Sequence, residues 1–122
     1  MLVNRRSGAV LARQITLCDT FWKRGLGLMF RRELRVDEVY IFVEKRESIA
    51  LTAIHMLFVF FPLAVFWLDS ERVVVDAVLA KPFRPHYAPS RPARYFIEGH
   101  PTLLAGVRVG DVLDWDAARV VL

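Results

Sequence analysis

The sequence predicts a mainly β domain, a small antiparallel sandwich or barrel with an α+β fringe of one or two short helices. Three observations carry that expectation. Runs rich in branched and aromatic residues recur along the chain, as at residues 39–43, 63–68 and 94–98, and such residues suit a pleated, half-buried surface. The runs are short and separated by turn-forming residues, the pattern of sandwiches and barrels. Asp69-Ser70-Glu71-Arg72 divides two of them without a helical period, so residues 63–68 and 73–79 are expected to pair as an antiparallel hairpin.

Taken in order, residues 9–17 read as an opening strand. Asp19 or Thr20 can cap a helix entering Phe21-Trp22-Lys23-Arg24, and Gly25 and Gly27 keep that helix brief. Residues 39–43 form a strand, residues 44–48 a polar connection, and two further strands fit within residues 53–59 and 63–68. Residues 81–94 hold Pro82, Pro85, Pro89 and Pro92, which remove backbone donors and fix φ, so this stretch is expected to be a long loop. Residues 94–98 return to strand and residues 101–105 form a helical turn. Gly110-Asp111 turns the chain, and residues 112–115 and 119–122 close the fold as strands.

The 122 residues fit a single domain spanning 1–122, and with 55% apolar types there is ample material for a core. The 17 basic and 13 acidic residues leave a net charge of +4, and 14 of the bases are arginine, suited to bidentate pairing with anions. Bases and acids are interspersed, which argues against a dedicated nucleic-acid surface. Cys18 is the only cysteine, compatible with a reducing compartment, and Arg5, Arg6 and Arg13 interrupt any secretory-type apolar core near the start; a cytoplasmic protein is expected. Residues 49–68 form twenty residues without a formal charge, about the length of a membrane span. Pro62, His55 and the branched and aromatic residues between 59 and 67 favour two buried strands over a membrane helix.

The run Arg24-Gly25-Leu26-Gly27-Leu28-Met29-Phe30-Arg31 resembles the signature of the family called domain of unknown function 192, in which an arginine precedes Gly-Leu-Met and another follows. Further pieces agree in order: residues 40–43 resemble the family's short aromatic strand, residues 56–62 its Met-Lys-Asn-Thr-x-Ile-Pro segment, and residues 66–69 the strand after it. Tyr95-Phe96-Ile97-Glu98 and Gly110-Asp111 are similar to its last two signatures, so the resemblance covers roughly residues 15–113. It implies a mainly β fold with short helices and no established activity. The chain departs from the pattern at Leu57, Phe58 and Val59, where many members carry lysine, asparagine and threonine. It departs again at Ala64, which stands in place of an aspartate.

Several residues are candidates for chemistry. Arg24 and Arg31 flank glycines, Gly27 among them, that allow close backbone approach, and with Met29 they outline an anion pocket. The plainer alternative pairs these arginines with Glu33, Glu44 or Glu98 at the surface. The motif lacks the Gly-Lys-Ser or Gly-Lys-Thr ending of a P-loop. His55 sits alone in the apolar run, without a second histidine at metal-ligand spacing. No serine has a Gly-x-Ser-x-Gly context, and Cys18 has no adjacent base. The loop at 81–94 carries Lys81, Arg84, Arg91 and Arg94 with Phe83, His86 and Tyr87 and no acid, a mixture suited to an anionic or sugar-like ligand or to stacking single-stranded nucleic acid; the plainer alternative is a solvated connector stiffened by proline.

The reading favoured is a non-enzymatic binding or accessory module for a small anionic or polar ligand. Arg24, Gly27, Met29, Arg31, His55, Arg84, Tyr87 and Glu98 would border its site, and neither cofactor nor metal is implied. A small metal-dependent hydrolase using His55 with Glu98 or an aspartate is the first alternative. An oligomeric interaction protein, a homo-oligomer that completes the burial of the apolar run, is the second.

Overall fold

The computed structural model describes residues 1–18, 34–54, 56, 59–84 and 86–116. Among them eight strands follow in chain order: β1 (Leu2–Asn4), β2 (Val10–Ala12), β3 (Gln14–Cys18), β4 (Glu38–Ser48), β5 (Leu63–Leu68), β6 (Val74–Ala80), β7 (Ala93–Gly99) and β8 (Leu113–Trp115). A 3₁₀ helix, Pro101–Gly106, lies between β7 and β8. Strands β2-β1-β8 form an antiparallel three-stranded sheet, and β3-β4-β7-β5-β6 a five-stranded one. Only β3 with β4 runs parallel in the larger sheet. The mainly β expectation holds, as an open pair of sheets without a closed barrel.

The alternation of side chains explains why β5 lies deep in the larger sheet. Leu63, Val65 and Trp67 project to one face, where they join Tyr40, Phe42 and Phe96; Ala64, Phe66 and Leu68 project to the other, with Val39, Ile41 and Ile97. All six residues of β5 are buried, so both faces of this sheet are covered. The second face packs on the smaller sheet through Leu2, Ala12, Leu113 and Trp115, with Leu103 of the 3₁₀ helix alongside. The first face carries Ile54, Met56 and Val59 of the segment preceding β5 and is flanked by Tyr87. The described layers are thus sheet, sheet and loops.

Those loops hold one another. Ile54 and Tyr87 exchange both backbone hydrogen bonds (2.8 and 2.9 Å), the Met56 N–H donates to the Arg84 carbonyl at 2.8 Å, and the Phe83 N–H donates to the Met56 carbonyl at 2.8 Å. Trp67 anchors the first loop from below, its indole N–H donating to the Thr52 carbonyl at 2.7 Å. Prolines thin the backbone donors of the second loop, which leaves bridges where a ladder would otherwise form.

The hairpin is as expected: β5 and β6 are antiparallel, and Asp69 Oδ1 accepts from the N–H groups of Glu71 and Val73 in the turn. Several boundaries differ from the sequence reading. The expected strand at 9–17 is two strands in different sheets, broken at Arg13, whose N–H turns to Asp37. The polar stretch 44–48 continues β4, with Glu44 buried and Ser48 paired to Ala93. In 53–59 the described residues hold only the Ile54 bridge, because Ile54 and Met56 bond to the second loop while Ala53 and Val59 donate within their own. β1 was not anticipated. No helix of the described residues is long and apolar enough to cross a membrane, and residues 63–68 of the uncharged run are β5. The helix expected after Asp19 and the strand at 119–122 lie outside the described residues.

Candidate functional site

The first face of the five-stranded sheet, beneath the loops, carries Glu98, the one expected site residue among those described that stands on a strand. Glu98 follows Tyr95, Phe96 and Ile97 in β7, and the two-residue period places it on the same face as Phe96. In register beside it are Tyr40 of β4 and Val65 of β5; Thr16 of β3 lies beyond Tyr40, and Val78 of β6 beyond Val65. This row crosses all five strands. Toward the same end of the sheet β5 begins at Leu63 and β6 ends at Ala80, so both long loops meet the sheet close to Glu98.

Glu98 is 7% exposed, and no described residue gives its carboxyl a hydrogen bond or an ion pair. Burial pushes this carboxyl up to about 8, so at neutral pH it is mostly protonated and can donate a hydrogen bond. No described side-chain oxygen or nitrogen is fully sealed without a partner, so the unpaired carboxyl oxygens retain some contact with the surface.

The loop candidates lie together. The Arg84 guanidinium is 5.1 Å from the centre of the Tyr87 ring, and the Tyr87 hydroxyl accepts from the Lys81 N–H at 2.8 Å, tying the loop to the end of β6. Tyr87 packs against the apolar cluster of the Glu98 face, whereas Arg84 and His86 are exposed. Phe83 adopts φ 62°, a left-handed conformation that bulky residues avoid, and half its surface is free; it meets Phe60 edge to face at 5.3 Å. Arg24, Gly27, Met29, Arg31 and His55 lie outside the described residues. Among the described residues no three His, Cys, Asp or Glu side chains gather as a metal site.

A second polar cluster joins the ends of the smaller sheet. Asp111 accepts from the Asn4 amide at 2.8 Å, from Arg6 Nε at 2.6 Å and from the Arg108 N–H at 2.8 Å, while the same Asn4 amide donates to the Gly106 carbonyl. The Arg6 guanidinium, with Arg108 and Asn4 adding to it, holds the Asp111 carboxyl well below the usual carboxylate range. Both Asp111 oxygens accept hydrogen bonds here, and the cluster joins β1 to the turn before β8.

Compared with known proteins, residues 2–115 match the DUF192 family, described as Uncharacterized ACR. The chain belongs to the DUF192 family. It is 38% identical over 117 residues to a UPF0127 protein of Thermococcus kodakarensis, covering 94% of this chain and 73% of that one. It is 37% identical, again over 117 residues, to a UPF0127 protein of Pyrococcus furiosus, covering 94% and 97% of the two chains. A crystal structure of a protein of unknown function from Novosphingobium aromaticivorans shares the fold, with a TM-score of 0.79 at 24% identity over 93% of this chain and 83% of that one. The resemblance read from the motifs is therefore correct, and the match extends beyond it at both ends.

Within this DUF192 chain, sequence reasoning selected Glu98 but passed over Tyr40 and Thr16, which share its row. The signal was present for Tyr40: a phenol at the second position of a short apolar strand alternates onto one face with Phe42. Its neighbours across the sheet depend on strand order, which local pattern does not reveal. The Asn4–Asp111 contact spans 107 residues and left no local trace.

Proposed function

We propose that this protein is a non-enzymatic binding module for a small polar ligand, seated at the Glu98 end of the five-stranded sheet beneath the two long loops. The observation that carries this reading is a carboxyl only 7% exposed to which no described residue gives a hydrogen bond or an ion pair, because protein folds rarely bury such a group unless something else completes it. In its protonated form Glu98 presents a donor rather than a charge, so it tolerates an anionic acceptor as well as a neutral one. Arg84, stacked on Tyr87 in the covering loop, supplies a cation at the surface, and Arg24, Arg31 and His55 are the further candidates. A cytoplasmic setting suits a chain with one thiol.

The test is a thermal-shift screen of small carboxylates, phosphate, sugars and polyols on the wild-type protein, Glu98→Gln, Arg84→Ala, Arg24→Ala and Arg31→Ala. A compound that stabilises the wild type and loses that effect in Glu98→Gln is the expected result. Stabilisation indifferent to Glu98 would count against the site.

A further inference from the structure

Independently of the Glu98 reading, we infer that the tips of the two long loops dock this protein on an anionic lipid surface, Phe83 and Phe60 entering the headgroup region while Lys81 and Arg84 pair with lipid phosphates. Lys81-Pro82-Phe83-Arg84 is a tight turn, closed by the Arg84 N–H donating to the Lys81 carbonyl at 3.4 Å. Pro82 presets its second position, and Phe83 fills the third at φ 62°, a conformation for which such turns ordinarily use glycine. A glycine would hold the same turn without strain, so the turn itself does not require the aromatic ring. Nor does the ring serve to fill the core: Phe83 is 50% exposed, and Phe60, its edge-to-face partner, 51%. The display is firmly held. The Phe83 N–H donates to the Met56 carbonyl and the Met56 N–H to the Arg84 carbonyl, each at 2.8 Å, and Met56 is fully buried.

Charge selects the occupant. Residues 81–94 carry four cations and no acid, and Phe60 belongs to the uncharged run 49–68, so the whole +4 of the chain resides on the Phe83 loop; elsewhere 13 bases balance 13 acids. Lys81, Arg84 and His86, all within three residues of Phe83, are exposed. An apolar tip flanked by cations matches the layering of an anionic bilayer, with phosphate outermost and hydrocarbon beneath, and needs no spanning segment. Single-stranded nucleic acid calls instead for ring faces offered in succession along a groove, whereas Phe60 and Phe83 stand at 71° to one another, one of them on a turn tip. An acidic peptide would pair with the cations and leave both rings in water.

The experiment is co-sedimentation of the full chain with vesicles of phosphatidylcholine alone and of phosphatidylcholine with about one quarter phosphatidylglycerol. It is repeated with Phe83→Gly, which relieves the strained turn, and with Phe60→Ser and Lys81→Glu, each variant first shown by circular dichroism to be folded. The wild type is expected to sediment with the anionic vesicles and not with the neutral ones, and less of it as salt rises from about 0.05 to 0.5 M. Phe83→Gly is expected to weaken binding about tenfold, as losing the burial of half a phenylalanine does, and Lys81→Glu at least as much. Absence of sedimentation, or sedimentation unaltered by both Phe83→Gly and Phe60→Ser, would overturn the inference. Tighter binding of a single-stranded oligonucleotide or a polyglutamate peptide, read by fluorescence anisotropy, would overturn it too. So would dimerisation in light scattering that Phe83→Gly abolishes, since it would assign this surface to a second copy of the chain. These variants leave Glu98 in place, so failure here is distinct from failure of the Glu98 ligand screen.

Discussion

At the scale of single residues, two buried carboxyl groups have opposite electrostatics and opposite consequences. Asp111 is charged and surrounded by donors; Asp111→Ala would leave the buried Asn4 amide and the Arg108 N–H short of a partner, with an expected cost of roughly 1–3 kcal/mol in urea unfolding. Its carboxyl is lowered in the folded state, so its stabilisation is present above the unfolded value of 3.8 and is lost as pH falls toward the folded one. Glu98 is raised from 4.5 to about 8, and the sign reverses: the folded protein holds the proton more tightly. Stability from this group is complete below about 4.5 and is lost as pH rises through about 8. Urea midpoints at pH 6 and pH 9 should therefore separate the wild type from Glu98→Gln, with the variant losing less stability on the alkaline side. An equal loss in both would mean that Glu98 is ionised at little cost.

At the scale of elements, the packing of the 3₁₀ helix on the sheet depends on Gly99. A Cβ there would stand 2.6 Å from Leu103 Cδ1 and 3.0 Å from Val39 Cγ1. Gly99→Ala is therefore expected to destabilise by about 1–3 kcal/mol in denaturant unfolding, the usual cost of overpacking. Much of this level was legible in the sequence. Asp69 to Arg72 announced the hairpin, four prolines announced the loop, and Pro101 marked the helical turn, because each acts through its own backbone. Where the reading failed, non-local pairing decided the outcome. Polar residues 44–48 extend β4 because β7 offers a partner, and the segment around Ile54 bonds to Tyr87 instead of a strand. The role of Gly110-Asp111 was likewise hidden: glycine supplies the turn at φ 98°, but the aspartate answers to Asn4 at the other end of the chain.

At the scale of the whole molecule, the apolar middle of the sequence becomes a sheet covered on both faces, by the smaller sheet on one and by the loops on the other. Hydrogen exchange should follow that layering. Amides of β4, β7 and β5 are expected to exchange most slowly, by global opening, and those of residues 49–53 much faster; similar rates in both would contradict a core centred on these strands. Fold class was readable because it follows from residue type and turn chemistry. The candidate site was readable only in part, since Glu98 could be named from its strand but its row needed the strand order. The loop-covered face, with a buried carboxyl that no described residue pairs, is the feature on which the functional reading rests. Carbon-detected NMR titration of the Glu98 carboxyl measures it directly: a midpoint near 8 is expected, and titration alongside exposed glutamates near 4.3 would contradict the account.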